Sequence, residues 1–488
     1  MPADMDAEQF RAFGKATVDY IADYLEGIRD RDVLPSVEPG YIKPLIPDDA
    51  PEEPQDWQDV LKDVERVVMP GVTHWHSPQF HAYYPTANSY PGIVGEMLSA
   101  GIGCIGFSWM TSPACTELEV TMMDWLGKLI GLPQEFLNCS DGPGGGVIQG
   151  SASEATLVAL LAAKERTVQR SNSSVEKSGV LGSMKMRLLT TDENCSFRGS
   201  TLEAAIAKDI EQGLIPCYVI ATLGTTGTCA FDNLEELGPV CIKNNLWLHV
   251  DAAYAGAAFI CPEYRHHMNG VEYADSFNFN PHKWLLVNFD CSAMVKNSHD
   301  LVDAFSVERV YLAHQKQGLA PDYRNWQIPL GRRFRSLKLW FVLRIYGAQG
   351  LRDHIRKQIR LAKDFEAMVK ADPRFEIVTE ASMGMTSFRL KGPDHLTKTL
   401  YEKLISEHKI YLTAATFGKK FMIRFVVCSR FTEEKDIQFA WQEICRHIEP
   451  VEGNENDREK LIEIPSLKTN NCSTKESLRK PVILGNSR

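Results

Sequence analysis

The sequence lacks several features that would place it in a specialised class. None of its twelve cysteines forms a CxxC pair, so the thiols predict neither a zinc site nor a disulfide framework and favour the reducing cytoplasm. No apolar run approaches the roughly 20 residues that a membrane-spanning helix requires. The first residues, MPADMDAEQF, are acidic where a secretory signal would be basic, so we expect no export signal.

The chain also lacks an excess of positive charge. The 53 Lys and Arg residues are outnumbered by 63 Asp and Glu residues, which gives a formal net charge of −10. Nucleic acids and anionic membranes are bound by basic surfaces, so this balance argues against both partners. At 488 residues and 44% hydrophobic content, the chain can bury a large core without a metal or a disulfide. We therefore expect a globular protein with no metal site.

The chain divides into regions that differ in composition and in predicted secondary structure. Residues 6–29 predict an amphipathic helix, and the proline-rich residues 30–57 predict an extended connector. Further along, residues 217–224 and 246–253 are strand-like, with a predicted helix near 233–244 between them. This strand–helix–strand order predicts a parallel sheet covered by helices.

The C-terminal part has a different pattern. After a long helical region near 335–370, the stretches RFEIVTE, MTSFRL, KIYLT and KFMIRFVVC predict strands, with a helix near 396–408. The last 38 residues contain no aromatic side chain and predict a disordered tail. The predicted domains are a helical N-terminal segment (1–110), a large α/β domain (111–370), a small α+β domain (371–449) and the tail (450–488).

A lysine and an aspartate, each beside a strand-like segment, are the first candidates for chemistry. Lys283 follows the segment DSFNFN, where partial desolvation lowers the pKa of an amine and makes it nucleophilic. Asp251 ends the segment LWLHVD, at a position where α/β sheets bind ligands and where a carboxylate keeps a pyridine nitrogen protonated. Taken singly, each has a plainer alternative: a solvated lysine and a helix N-cap aspartate.

A glycine-rich stretch, GGGVIQGSASEA at 144–155, precedes a predicted helix. Glycines let the backbone approach a ligand, and Ser151 or Ser153 would begin a helix whose free N–H groups suit a phosphate. The spacing matches neither GxGxxG nor a P-loop, and an ordinary capped helix is the alternative for this motif alone. Together, a phosphate cradle, an acid for a ring nitrogen and a lysine for an aldehyde predict pyridoxal 5'-phosphate (PLP).

Longer stretches resemble the PLP-dependent aromatic-L-amino-acid decarboxylases. They are PTANSYP, GFSWMTSPACTELE, GGGVIQGSASEA, ATLGTT, WLHVDAAYAG, FNFNPHKW and WQIPLGRRFRSLK, spread over roughly residues 6–447. The resemblance implies that Lys283 binds PLP covalently, that Asp251 pairs with the ring nitrogen and that Tyr311 belongs to a mobile catalytic loop. The other cofactor contacts that it implies are Ser151, Ala152, Ser153, Asn280 and, on the face opposite the strand loops, Thr226. The substrate pocket that it implies consists of Thr86, Tyr83, Tyr84 and Phe107.

The resemblance also implies a fold and an assembly. The fold is the α/β fold of aspartate aminotransferase, with a mostly parallel central sheet, a helical N-terminal segment and a small α+β C-terminal domain. The assembly is an obligate homodimer, with the active site at the subunit boundary and the N-terminal helices packed on the partner.

Residue 172 is expected to decide the reaction. The stretch SNSSVEK places Asn172 where ordinary decarboxylases of the family carry a histidine over the cofactor ring. An imidazole can relay a proton near neutral pH, whereas an amide can only hydrogen-bond. If the carbanion left by loss of CO2 is protonated slowly, O2 can take its electrons, and the products are an aldehyde, ammonia and hydrogen peroxide.

Asn172, ATLGTTGTCAFD and FGKATVDYIADYLE resemble a group of insect paralogues in this family. These are the dihydroxyphenylacetaldehyde synthases, or alpha-methyldopa hypersensitive proteins. The resemblance implies L-dopa and O2 as substrates and an aldehyde used in cuticle crosslinking. The alternative is an aromatic-L-amino-acid decarboxylase that makes dopamine or another amine, with its proton supplied by Tyr311 or water.

The sequence departs from the family pattern in two places. The predicted helix ending near Arg170 runs almost directly into Asn172, where relatives carry a longer connection with a strand of the main sheet. One residue is also missing after Met294. Losing a central strand would leave a hole in the sheet and move Asn172 off the cofactor ring. A third hypothesis is therefore an inactive isoform that at most binds the active subunit.

Overall fold

The computed structural model of the chain describes residues 5–170, 185–290, 293–306, 320–448 and 479–485. Its helices are α1 (Ala7–Glu26), α2 (Trp57–Asp63), α3 (Tyr90–Ile102), α4 (Pro113–Ile130), α5 (Ala152–Arg170), α6 (Gly199–Glu211), α7 (Leu234–Lys243), α8 (Pro281–Trp284), α9 (Ser298–Phe305), α10 (Arg335–Ala371), α11 (Asp394–Ser406) and α12 (Glu434–Arg446). Its strands are β1 (Gly145–Val147), β2 (Lys185–Thr190), β3 (Ile215–Thr222), β4 (Trp247–Asp251), β5 (Ser276–Asn278), β6 (Ala293–Val295), β7 (Phe375–Ser382), β8 (Met385–Leu390), β9 (Thr413–Phe417), β10 (Lys420–Val426) and β11 (Arg479–Gly485).

A seven-stranded sheet lies at the centre of the fold, in the order β1-β6-β5-β4-β3-β11-β2. The strands β3, β4 and β5 pair in parallel, whereas β6 pairs antiparallel with both β5 and β1. The first five strands therefore run in one direction, and β6 and β11 run against them. β3 and β4 are apolar and mostly buried, because both faces of the sheet are covered. The predicted α/β fold with a mostly parallel central sheet is confirmed.

The C-terminal tail contributes a strand to this sheet. Residues Arg479–Gly485 form β11, which lies between β2 and β3 and pairs antiparallel with both. The prediction of a disordered tail over 450–488 is therefore wrong for this segment. The composition of the tail lacks aromatic anchors, but backbone pairing with two strand edges does not require them. The other predicted domain boundaries remain predictions.

A second sheet forms the C-terminal α+β unit, in the antiparallel order β7-β8-β10-β9. The predicted strands in RFEIVTE, MTSFRL and KFMIRFVVC are confirmed, but the predicted strand KIYLT is displaced, since β9 begins only at Thr413. Tyr411 instead makes an isolated bridge with Phe80. Its N–H donates to the Gln79 carbonyl, and its own carbonyl accepts from the His81 N–H, so this stretch joins the small sheet to the N-terminal region.

The N-terminal helix follows its predicted pattern. Asp6 caps α1 by accepting hydrogen bonds from the Glu8 and Gln9 N–H groups, each at 2.8 Å, and the Gln9 side chain caps the Asp6 N–H in return. Within α1 only Leu25 is buried, so much of the helix surface is open in a single chain. Across the described residues, no helix has the length and apolar character needed to cross a bilayer.

Candidate active site

Three neighbouring strands bring the predicted chemical groups to one edge of the large sheet. Thr222 is paired with Asp251 at the ends of β3 and β4, and Asp251 is paired with Asn278 at the end of β5. The Leu223 N–H donates to the Asp251 carbonyl at 2.9 Å and fixes the turn that leaves β3. The carboxyl ends of parallel strands are where α/β folds bind ligands, so this edge is the candidate active site.

Asp251 is held in a defined orientation at this edge. Its Oδ1 accepts a hydrogen bond from the Ala253 N–H at 3.0 Å and another from Asn278 Nδ2 at 3.5 Å. The segment behind it is fixed as well, because the Ala252 N–H donates to the Asn278 carbonyl at 2.8 Å. A carboxylate fixed in this way can accept a hydrogen bond from a protonated ring nitrogen.

Lys283 lies on the short helix α8, just beyond the end of β5. The Asn280 N–H donates to the Ala253 carbonyl at 3.1 Å, and the Lys283 N–H donates to the Asn280 carbonyl at 2.9 Å, so the lysine backbone is tied to the segment after Asp251. Desolvation lowers the pKa of the Lys283 amine, and the nearby Asp251 charge opposes that shift in part. Burial therefore favours the neutral, nucleophilic form of the amine, as predicted from the sequence.

Aromatic rings form a wall beside the lysine. Tyr84 stacks on Tyr254 with ring centroids 3.8 Å apart, and Tyr254 stacks on Trp284 at 4.5 Å. The Lys283 Nζ lies 5.7 Å from the Tyr84 ring centroid, and the Tyr84 hydroxyl donates to the Thr225 carbonyl at 2.7 Å. This stack links the predicted substrate residue Tyr84 to the lysine and to the turn after β3.

The start of α5 forms the predicted phosphate cradle. Ser151 Oγ accepts from the Glu154 N–H at 3.1 Å, and the Glu154 carboxylate accepts from the Gly150 N–H at 2.8 Å. Ala152 and Ser153 lie in the first turn, where helix geometry leaves N–H groups without an intrahelical acceptor. The helix that both interpretations of the motif predict is confirmed, and its first-turn amides suit a phosphate.

The predicted substrate residues fall in different places. Thr86 lines a small enclosed cavity together with Lys283, and the Ala87 N–H donates to the His282 carbonyl at 2.7 Å. Tyr83 is 46% exposed, and its ring stacks on Trp75. Neither Tyr83 nor Phe107 is among the residues that line the cavity. A single chain thus brings Thr86 and Tyr84 to the lysine, and roles for Tyr83 and Phe107 stay predictions.

Thr226 is exposed in the turn that follows β3, one residue after the carbonyl that accepts from Tyr84. Asn172 and Tyr311 lie outside the described residues, so their roles remain predictions from the sequence.

The sequence analysis missed polar residues that share the cavity with Lys283. They are His76, Asn88, His354 and Arg430. Within the described part of the chain, Arg430 Nε and Nη2 are buried without a hydrogen-bond partner, and a guanidinium in that state can pair with a carboxylate. Burial lowers the pKa of His354 to about 3 and that of His76 to about 4, so both rings are neutral. These residues lie at widely separated positions and share no motif with Lys283, so the sequence offered no signal that would group them.

The arrangement fits PLP. A fixed carboxylate, a desolvated amine and a helix N-terminus lie around one sheet edge, and each suits a different part of that cofactor. Asn280 Oδ1 and His282 Nδ1 are buried and have no partner among the residues that the structure describes. Buried polar atoms without partners are rare, and an unplaced ligand or water is a common cause.

Comparisons with known proteins indicate the same cofactor. The chain matches a family model described as "Pyridoxal-dependent decarboxylase conserved domain" over residues 39–173 and 167–391. The aromatic-L-amino-acid decarboxylase of Drosophila melanogaster is 56% identical over 474 residues, which cover 92% of this chain and 93% of that protein. The structure of Oryza sativa TDC with PLP and tryptamine is similar, with a TM-score of 0.88, 34% identity and coverage of 92% and 99%. The structure of Rhodiola rosea 4-hydroxyphenylacetaldehyde synthase has a TM-score of 0.83, 37% identity and coverage of 91% and 99%.

Proposed function

The chain belongs to the pyridoxal-dependent decarboxylases, with PLP as its cofactor, and from this membership we propose that it decarboxylates aromatic L-amino acids, L-dopa among them. The observation that carries the proposal is the placement of Lys283 and Asp251 on adjoining segments of one sheet edge, beside an aromatic wall. PLP, when bound, supplies an electron sink that stabilises the negative charge left at Cα by loss of CO2.

Each predicted site residue has its own proposed role. Lys283 would hold the cofactor through its desolvated amine, and Asp251 would keep the ring nitrogen protonated. Ser151, Ala152 and Ser153 at the start of α5 would hold the phosphate, together with Asn280. Thr226 would lie on the other face of the ring, and Tyr311 would belong to the mobile catalytic loop.

Release of the amine is the first candidate for the final step. It is supported by the sequence comparison, since the Drosophila melanogaster relative at 56% identity is named an aromatic-L-amino-acid decarboxylase. In this reaction L-dopa gives dopamine and CO2, and Cα receives a proton from Tyr311 or from water.

Oxidative release of an aldehyde is the second candidate, and Asn172 is the observation that favours it. An amide does not release a proton at ordinary pH, so Cα would stay unprotonated long enough for O2 to accept its electrons. The balanced reaction is L-dopa, O2 and water to dihydroxyphenylacetaldehyde, CO2, ammonia and hydrogen peroxide. A structural neighbour at 37% identity is named a 4-hydroxyphenylacetaldehyde synthase, which supports this candidate.

A product assay tests both candidates. Purified protein loaded with PLP is incubated with L-dopa, while O2, hydrogen peroxide, dopamine and aldehyde are measured. Stoichiometric dopamine without O2 uptake supports the first candidate, and equal amounts of aldehyde and peroxide support the second. A protein that lacks the visible absorbance of lysine-bound PLP and forms neither product would instead be the inactive isoform.

The substitution Asn172→His sharpens this test. If the amide limits protonation of Cα, the imidazole is expected to raise the ratio of amine to aldehyde by at least about tenfold, which lies below the usual range for a positioned acid. Asn172→Gln retains an amide and serves as the control. The product ratio is measured by chromatography, and an unchanged ratio in the His variant would contradict the proton-relay argument.

We also propose a homodimer in the cytoplasm. The proposal is supported by an apolar surface on and just after α3 that a single chain leaves between 40% and 57% exposed, formed by Tyr90, Val94, Met97, Leu98, Ile102 and Ile105. Contiguous apolar surface of this kind is typical of subunit interfaces. Sedimentation analysis of the purified protein measures the assembly directly.

A further inference from the structure

Two consecutive strands of the large sheet are separated by a gap of one strand. β2 and β3 follow each other in the chain and are joined through α6, yet they are not neighbours in the sheet. The position between them is taken by β11, from the far end of the chain. We infer that the gap between β2 and β3 is a strand-binding site, and that residues 479–485 of the same chain occupy it as a replacement strand.

The two edges of the site are held independently of β11. On one side, β3 pairs with β4 in continuous register from Tyr218 to Thr222. On the other side, Arg187 of β2 forms an ion pair with the buried Asp209 of α6 and donates to the Ala205 carbonyl at 3.3 Å. The site therefore lies near one end of the sheet, between the edge of β3 and the last strand, β2, which α6 holds in place.

An empty gap would be unfavourable. Without β11, the facing edges of β2 and β3 would carry N–H and C=O groups that have no strand partner, and such edges are a liability in a sheet. A third extended segment satisfies both edges at once. This need explains why a tail that lacks aromatic anchors is ordered at 479–485.

The pairing of β11 has a defined direction and register. It runs antiparallel to β2 from Arg479 opposite Thr190 to Leu484 opposite Lys185. Against β3, Val482 lies opposite Val219, and a bulge follows between Ile483 and Leu484. This register makes the inference testable at single positions.

The same chain can supply the strand without a second subunit. Thirty residues separate the end of the small domain at 448 from β11 at 479, and at about 3.3 Å per residue such a segment can extend roughly 100 Å. We therefore assign the occupant to the same chain, and the experiment distinguishes it from an exchanged tail of a second copy.

Engineered cysteines test the register in the full-length protein. Val219→Cys with Val482→Cys joins two residues that face each other directly, at a separation suited to a disulfide. Val219→Cys with Gly485→Cys is the matched control, since Gly485 lies opposite Ile215, about 13 Å further along the strand. Under mild oxidation, we expect the first pair to link within one chain at least tenfold faster than the control.

Peptide mass spectrometry identifies the linked residues, and the single-cysteine variants control for the native thiols. Equal linking in both pairs would overturn the register, and a link between two chains would overturn the assignment to the same chain. Hydrogen exchange gives a second readout that does not require a crosslink. The β2 and β3 amides are expected to exchange at least tenfold faster in Val482→Pro than in the native chain, and unchanged protection would refute the inference.

Discussion

The two halves of the large sheet are built in different ways. One half, called here the catalytic half, carries the candidate active site. It includes β3, β4 and β5, which are paired in parallel and in continuous register. The other half is completed by β11, which comes from the chain terminus, runs antiparallel and contains Pro481. The catalytic half is thus specified by neighbouring sequence motifs, whereas the other half depends on a distant segment that has only to fill a gap.

The difference has a consequence for stability. Proline cannot donate a backbone hydrogen bond, and both Pro481 in β11 and Pro216 in β3 lie along this pairing. The bulge after Ile483 interrupts it further. We therefore expect β11 to be the least protected strand of the sheet, while β4 is protected against all but global unfolding.

Removal of the Lys283 amine has the largest expected effect. In Lys283→Ala, turnover should fall by at least about a thousandfold, because the covalent attachment of the cofactor is lost. The visible absorbance of lysine-bound PLP and the initial rate with L-dopa measure this loss. The exposed Lys128 provides the control, Lys128→Ala, which should retain full activity. Normal turnover in Lys283→Ala would refute the assignment of the lysine.

Neutralising Asp251 is expected to have a smaller effect in the same half. Asp251→Asn keeps the hydrogen-bonding shape of the side chain but removes the charge that keeps the ring nitrogen protonated. We expect turnover to fall by about a hundredfold, with covalent PLP retained. Asp141→Asn, at an exposed position, is the control. A variant that loses PLP altogether would show instead that Asp251 serves mainly to bind the cofactor.

A proline in β11 should reduce stability. Val482→Pro removes an N–H from the pairing, and we expect a loss of at least about 1 kcal/mol, the net contribution of a typical hydrogen bond, seen as a fall in Tm of a few degrees. Val482→Thr keeps both the N–H and a β-branched side chain, so it should unfold close to the native Tm. Equal Tm values for the two variants would mean that β11 contributes nothing to the sheet, and the contrast between the halves would disappear.

The catalytic half should also be sensitive to acid. Burial lowers the pKa of His249 in β4 to about 4, against 6.5 for an ordinary histidine. Below pH 6.5 the unfolded chain binds a proton that the folded chain does not, so stability falls as the pH falls from about 6.5 towards 4. At pH 5 this residue should cost roughly 2 kcal/mol. Denaturant unfolding at pH 7 and pH 5 measures the loss, which should be smaller in His249→Gln; equal losses in both proteins would exclude His249 as its source.

Much of the active site could be predicted from the sequence because its groups lie in short motifs. Asp251 ends an apolar strand, Lys283 follows the next strand, and Ser151 begins a helix after glycines, so each signal is local. Arg430 could not be found in this way, since it reaches the cavity only when the C-terminal unit packs against the large domain. His354 lies within the long helix α10, where no local motif marks it. The strand KIYLT was misplaced for a similar reason, because Tyr411 pairs with the N-terminal region.

The fold class and the cofactor could be predicted from the sequence, together with candidate groups around the cofactor, because the spacing of strands, glycines, acid and lysine is a property of the chain alone. The segment that fills the gap between β2 and β3 became known only from the folded chain. Any extended segment offers the same backbone donors and acceptors, so a pattern of side chains cannot specify that choice. It depends on which segment can reach the two edges once the sheet around them has formed.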